Sequence, residues 1–335
     1  MIAKKRKASR RNVAELAGVS VTTVTHALNA TDGSRVKPET IDKVKQAALK
    51  LGYRPSFVGR ALVTGKSYTI GLLQPSHEAM FFNYYQHIIV GMVQAMEKRD
   101  YNLVILFPSD DYRYMKPITQ GRVDGMLVIQ SFFDDTHINR IIDSGIPTVV
   151  VNKDIETVSD QVGNVHSDHF KLMSNVVDEF VALGCRQIIS FHDYIAREPN
   201  HWMFKGFIKR SAKYVNSGVI GTSIIPDYAN LNQQIKNILC SVKPPLGIFV
   251  DGANEGEKFL QIAKSLNLIN GKDFFLISSS CELGETTPSK GEISAYTHQA
   301  EKVGSVAWDV MWQILSGKDK ARKKLIPYQK FEVKT

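Results

Sequence analysis

The sequence predicts an α/β protein in two parts: a small basic three-helix module, then a large body of parallel sheets covered by helices. Three observations predict it. From Ser67 onward, apolar runs of strand length recur as YTIGLLQP, NLVILFP, GMLVIQS, PTVVVNK, QIISFHD, PLGIFVDG and DFFLISSS, with helices between them and the first helix expected over His87 to Arg99. Strands that are apolar throughout are buried on both faces, which is the pattern of parallel sheets with helical layers. Ahead of them, the stretch SRRNVAELAGVSVTTVTHALN has the period of two short helices meeting at a sharp corner. Finally, residues 1–60 carry 13 Lys and Arg against 4 Asp and Glu, a net of +9 that equals the net of the whole chain, so residues 61–335 sum to zero.

The corner can be justified residue by residue. Ser9 is an N-cap with Asn12 three residues on, and Val13 and Leu16 share a face of the first helix. Gly18 can take the left-handed conformation that ends a helix, and Ser20 can accept from the free N–H groups that open the next. Val24 and Leu28 are then expected to pack on Leu16, leaving Val21, Thr22, Thr25, His26 and Asn29 on the opposite face. A small, polar, uncharged face suits close approach to base edges and phosphates, as in a helix-turn-helix; a helical hairpin with a solvated face is the alternative.

Residues 30–37 read as a turn-rich loop in which Arg35 could reach a phosphate. Pro38 opens a third helix with Ile41, Val44, Ala48 and Leu51 inside and Gly52 as its stop. After Ser56, the segment FVGRALVTG is too short to hold itself as a helix. Met1 to Ala8 is expected to be a disordered basic arm.

A basic module on a neutral body implies a nucleic-acid anchor, with a membrane-surface tail the weaker alternative. The three cysteines, Cys185, Cys240 and Cys281, are widely separated and odd in number, which argues against a disulfide framework and for a reduced compartment. No apolar segment follows the initial charge and no run of 18 apolar residues occurs, so a cytoplasmic chain with no membrane span is expected.

The runs AGVSVTTVTHALN, VKPETIDKVKQAALKLGYRP and RALVTGKSYTIGLL resemble, in order and spacing, the amino-terminal part of the lactose-repressor/galactose-repressor family of bacterial transcription regulators. The resemblance covers residues 9–75. It implies a helix-turn-helix domain over 1–55, a hinge helix and linker over 56–66, and a two-lobed periplasmic-binding-protein-like body with parallel sheets over 67–335. Three crossovers are implied, with lobe 1 at about 67–164 and 296–322 and lobe 2 at about 165–295 and 323–335. The DNA contacts carried over are Ser9, Ser20, Val21, Thr22, Thr25, His26, Asn29, Arg35, Tyr53, Ser56, Arg60 and Leu62. Leu62 holds the place of a leucine that a paired hinge helix pushes into the minor groove; simple linker packing is the alternative. Where the family commonly has Ser-Arg, this chain has Thr25-His26.

The resemblance also implies a small-molecule effector in the cleft between lobes. Tyr84 and Tyr85 match the family's paired aromatics, and Tyr228 in PDYANL matches a stacking aromatic. The polar clamps differ. Met203 stands for an arginine before Gly206-Phe207, Gly252-Ala253 for an Asn-Asp pair beside Asp251, Ser280 for an aspartate and Asn152 for another. Losing charge-assisted hydrogen bonds worth ~1.5–3 kcal/mol each disfavours a typical sugar or purine. Either the cleft holds a different, less polar effector bound by the tyrosines with Trp202 and Met203, or it holds none, and packing of those aromatics in the lobe core is an equal alternative to a ligand role.

Nothing in the sequence assembles a nucleophile, a phosphate loop or a metal set, and no catalytic residue, metal or cofactor is expected. The Asp-Gly pairs at Asp124 and Asp251 fit strand ends or turns, and His166, Asp168 and His169 read as a helix cap with exposed imidazoles. The whole points to a homodimeric regulator, a repressor, on a palindromic double-stranded DNA operator. The rival is a cytosolic solute-binding or sugar-handling protein that does not bind an operator.

Overall fold

The computed structural model describes residues 8–28, 36–54, 61–62, 64–130, 134–156, 158–193, 197–241, 245–280, 293–318 and 322–331. They form two compact units, Met1–Lys66 and Ser67–Thr335.

In the first unit, α1 (Arg10–Ala17), α2 (Val21–Leu28) and α3 (Pro38–Lys50) enclose one small core. The start of α1 and its corner with α2 are defined by local chemistry. Ser9 Oγ accepts from the Asn12 N–H at 3.3 Å while Asn12 Oδ1 accepts from the Ser9 N–H at 3.1 Å, a reciprocal cap. Gly18, at φ +66°, turns the chain so that the Val19 N–H reaches the Ala14 carbonyl at 3.0 Å, and Ser20 Oγ then accepts from the Thr23 N–H at 3.0 Å.

The core differs from the expected one. Val13, Val24 and Val44 are fully buried, but the remaining buried positions are alanines: Ala14, Ala17, Ala27, Ala47 and Ala48. Leu16 is 47% exposed and Leu51 lies on the surface, so neither is the packing partner expected. The buried stripe of α1 runs through Val13, Ala14 and Ala17, and that of α3 through Val44, Ala47 and Ala48. Methyl side chains along these stripes let the helices approach closely, which turns Leu16 and Leu51 outward.

The second unit holds two six-stranded sheets, ordered β11-β5-β4-β3-β1-β2 and β12-β10-β9-β8-β6-β7. The strands are β1 (Thr69–Leu73), β2 (Asn102–Leu106), β3 (Gly125–Ile129), β4 (Thr148–Val151), β5 (Val162–Ser167), β6 (Gln187–Phe191), β7 (Ile220–Ile224), β8 (Leu246–Asp251), β9 (Phe274–Ser280), β10 (Ser294–Thr297), β11 (Lys323–Ile326) and β12 (Gln329–Phe331). Pairing is parallel except between β10 and β12. The helices are α4 (Asn83–Glu97), α5 (Lys116–Thr119), α6 (Thr136–Asp143), α7 (His169–Ala182), α8 (Glu198–Ser211), α9 (Leu231–Ser241), α10 (Ala253–Ser265) and α11 (Ala300–Leu315).

Three expectations need correction. The first helix of the body spans Asn83–Glu97 rather than His87 to Arg99, which places both Tyr84 and Tyr85 in its first turn. Between β2 and β3 the expected helix shrinks to a 3₁₀ turn at Arg113–Met115 and the four residues of α5. The lobe edges also move. β5 runs to Ser167 within the first sheet, β10 keeps Thr297 in the second, and β11 belongs to the first sheet, where Ile326 pairs with Ser167 and is buried. The third crossover therefore falls at Pro327.

Chain entry into the body is held by one carboxylate. Asp124 Oδ1 accepts from the Ser67 N–H at 2.6 Å and the Ser67 hydroxyl at 2.8 Å, and Oδ2 accepts from the Tyr68 N–H at 2.9 Å. Lobe 1 then closes by packing α4 on α11 at unusually short range. A Cβ on Gly304 would lie 2.0 Å from the Ile88 carbonyl oxygen, and one on Gly91 would lie 1.9 Å from that of Glu301. Gly304→Ala is expected to destabilise the full chain by at least ~1–3 kcal/mol, because backbone rather than a flexible side chain must move. A urea unfolding curve reads this as a lower midpoint; a loss below about 0.5 kcal/mol would show that the helices separate freely.

Candidate nucleic-acid interface and inter-lobe cleft

On the amino-terminal module, α2 presents Ser20, Val21, Thr22 and His26 to solvent while Val24 and Ala27 are fully buried. The face is small and carries no Asp, Glu, Lys or Arg. Thr25 sits at its edge: its hydroxyl donates to the Val21 carbonyl at 3.1 Å and accepts from Arg10 Nη1 at 3.5 Å. Arg10 Nε donates to Tyr53 Oη at 3.3 Å, so one guanidinium joins α1, α2 and the segment after α3. Arg10 was absent from the expected contacts; its place in the basic SRRN run was the available signal. Ser9 is occupied as a cap, and its hydroxyl also bonds Asn12 Oδ1 at 2.7 Å.

Asn29, Arg35, Ser56 and Arg60 lie outside the described residues. Leu62 is described, helical and 87% exposed. The Gly65 N–H closes its turn on the Ala61 carbonyl at 2.8 Å.

Asn152, Tyr228, Asp251 and Ser280 stand at or just after the carboxyl ends of β4, β7, β8 and β9, where parallel strands leave polar loops and a cleft is expected. From lobe 1, Tyr84 Oη donates to Asn152 Oδ1 at 2.6 Å, and the Tyr84 ring lies 5.0 Å from that of His298. These two expected residues are brought together. From lobe 2, Asp251 accepts from the Ser279 hydroxyl at the end of β9. Ser280 ends that strand, and its side chain lies outside those described.

Tyr228 is 65% exposed in the turn after β7. Burial first, then the carboxylates of Glu255, Asp251 and Asp193, raise its hydroxyl pKa above the ordinary value. Burial likewise raises the Glu255 carboxyl, with Asp251 acting in the same direction.

Two expected residues are core instead. Met203 is 1% exposed among Leu172, Val176 and Phe207, because the buried stripe of α8 runs through Pro199, Met203, Gly206 and Phe207. Tyr85 is buried against Ile88 and Met92 in lobe 1. Trp202, one residue along α8 from Met203, is half-buried; its indole donates to Glu198 Oε1, and Lys205 Nζ lies 4.4 Å above its ring.

Glu198 is the member that pattern reading missed, though it stands four residues before Trp202 in EPNHW. Burial raises its carboxyl pKa, while the Trp202 indole, the Asp154 N–H and the Lys153 charge act the other way. A lobe 2 carboxylate therefore faces the loop after β4 of lobe 1. Arg197 also lies 5.9 Å from the Phe82 ring of lobe 1. Gln74, which follows β1, is fully buried, and neither of its amide atoms has a partner among the described residues.

The His166, Asp168 and His169 cluster resolves into separate tasks. Asp168 Oδ1 accepts from the Lys171 N–H at 2.9 Å and caps α7, but both imidazoles are buried rather than exposed. His166 Nδ1 donates to the Ser167 carbonyl at 3.0 Å, and His169 Nδ1 lies 2.7 Å from Tyr328 Oη.

Residues 11–56 match the sequence model of the family described as bacterial regulatory proteins, lacI family. The "Probable HTH-type transcriptional repressor ExuR" of Bacillus subtilis (strain 168) is 32% identical over 180 residues, 53% of this chain and 52% of that one, so this likeness spans about half of each. The HTH-type transcriptional regulator RegA of Clostridium saccharobutylicum is 26% identical over 329 residues, 93% of each chain. In fold, the Lac repressor dimer bound to operator and the anti-inducer ONPF superposes with a TM-score of 0.75 at 20% identity, over 98% of this chain and 99% of that one. Module and body therefore carry separate likenesses: residues 11–56 match the lacI-family model, and nearly the whole chain is similar to a transcriptional regulator and has the fold of the Lac repressor.

Proposed function

We propose that the chain is a sequence-specific transcription regulator, a repressor, that binds a palindromic double-stranded DNA operator as a homodimer and responds to a small molecule in the inter-lobe cleft. The observation that carries this reading is the uncharged face of α2, presented on a module that holds the whole basic excess of the chain. Phosphate neutralisation supplies affinity, and the small side chains of α2 supply readout in the major groove.

Dimerisation is supported by the first sheet's edge. β2 leaves Val104 and Ile105 exposed, and α4 beside it leaves Val90 and Val93 exposed. Apolar side chains clustered on an edge strand and its covering helix are a surface that favours a partner. In the cleft, the Tyr84–Asn152 bond and the Glu198–Trp202 pair supply a donor and acceptor set lined by aromatics. Among the described residues, no helix is long and apolar enough to cross a membrane, and no catalytic role is assigned.

A binding selection from genomic fragments, followed by gel shift, separates this reading from a solute-binding protein, which would retain no specific fragment. With a selected operator in hand, His26→Arg is expected to change the preferred bases of each half-site, since an arginine there can pair with guanine. An unchanged preference would place position 26 away from the bases. Leu62→Ala is expected to weaken operator binding about 10- to 100-fold, the worth of one buried leucine, while salt-sensitive binding to random DNA stays nearly intact. Equal losses on both DNAs would assign Leu62 to stability. Sedimentation of the full chain is expected to give a dimer that Val104→Asp with Ile105→Asp dissociates; a monomer at all concentrations, with and without operator, would remove the symmetric arrangement.

A further inference from the structure

The three crossovers between the lobes are chemically joined to each other. The Asp168 N–H donates to the Ile326 carbonyl at 2.9 Å, linking the first crossing to the third. Ser167 Oγ donates to the His298 carbonyl at 3.3 Å, linking first to second, and Gln299 Nε2 donates to the Pro327 carbonyl, linking second to third. At their centre each crossing contributes one ring: His169, His298 and Tyr328. Tyr328 Oη lies 2.7 Å from His169 Nδ1 and 2.9 Å from His298 Nδ1.

A hydroxyl carries one hydrogen, so these two bonds require opposite protonation of the two Nδ1 atoms. The surroundings choose the direction. His169 is buried, and burial, then His298 and His166, hold its imidazole well below the ordinary value, so the ring is neutral. Its Nε2 is buried with no hydrogen-bond partner among the described residues. A proton on Nε2 would be an orphaned buried donor, which native structures avoid more strictly than an orphaned acceptor. The proton therefore sits on Nδ1 and is donated to Tyr328 Oη, leaving the Tyr328 hydrogen for His298 Nδ1.

The other side of His298 leads to the cleft. Its ring lies 5.0 Å from Tyr84, whose hydroxyl is bonded to Asn152. We propose that the Tyr328 hydroxyl is the hub that couples the cleft to the lobe hinge, accepting from His169 and donating to His298, so that a cleft occupant which moves Tyr84 loosens or tightens all three crossings together. The regulatory meaning rests on the cleft being a sensing site; the coupling itself does not.

The test uses the full chain without DNA or ligand. In ¹⁵N-histidine spectra His169 is expected as the Nδ1–H tautomer and His298 as Nε2–H; the reverse pair overturns the assigned direction. By hydrogen exchange, Tyr328→Phe, which keeps the ring, is expected to speed exchange of the Asp168 amide about tenfold, the effect of losing hydrogen bonds of ordinary strength. Tyr84→Leu is expected to speed the same amide several-fold, although Tyr84 does not belong to a crossing, and to add little once Tyr328→Phe is present. Independent, multiplying effects, or no effect of Tyr84→Leu, would overturn the hub. Should Tyr328→Phe fail to fold, the tautomers of the unsubstituted chain still decide the direction, and Tyr84→Leu alone still decides the coupling. Because no readout involves DNA, a chain that selects no operator would remove the proposed function while leaving the hub to stand or fall on these results.

Discussion

The body depends on how its last strands are divided. Between Lys323 and Phe331 the chain lays β11 along β5 in the first sheet and β12 along β10 in the second, with only Pro327 and Tyr328 between them. Each strand is fixed by its own ladder, so any change in the angle between lobes has to be absorbed at these residues and at the two neighbouring crossings. Rings and main-chain bonds fill that volume. A fold that joins two rigid sheets through three short, mutually bonded crossings has few soft coordinates, and discrete arrangements follow more readily than continuous bending.

The amino-terminal module reaches stability by different means. Its core is largely alanine, which buries little apolar area, and its helices are too short to persist alone. Capping at Ser9 and Ser20, the left-handed Gly18 and the Arg10 bridge to Tyr53 and Thr25 make up part of that deficit by fixing where each helix begins and how the helices meet. Close approach of small helices turns larger side chains outward, and Leu16 and Leu51 are the visible result. The same compactness leaves the exposed face of α2 unobstructed.

Much of this was legible in the chain. Caps, the corner glycine and the buried apolar strands follow from local rules, since a capping hydroxyl or a left-handed glycine acts on its immediate neighbours. The site was legible only in part. Tyr84 and Asn152, both expected at the cleft from the sequence, do meet, whereas Met203 and Tyr85, expected there on the same grounds, are core. Helical periodicity does not say which side of α8 or α4 meets a lobe interior and which meets the cleft; that depends on the packing partner, α7 for one and α11 for the other.

By itself the sequence determined the class of the fold, the positions of most strands, the basic helix-turn-helix module and the loop positions from which a cleft could be lined, because each rests on periodicity, composition or chemistry within a few residues. Only the tertiary structure decided that β11 belongs to the first sheet, that α4 and α11 touch through Gly91 and Gly304, and that His169, His298 and Tyr328 share one set of hydrogen bonds. Those residues are brought together by ladders and helix packing between segments far apart in the chain, and no local propensity encodes which distant partner a side chain will meet.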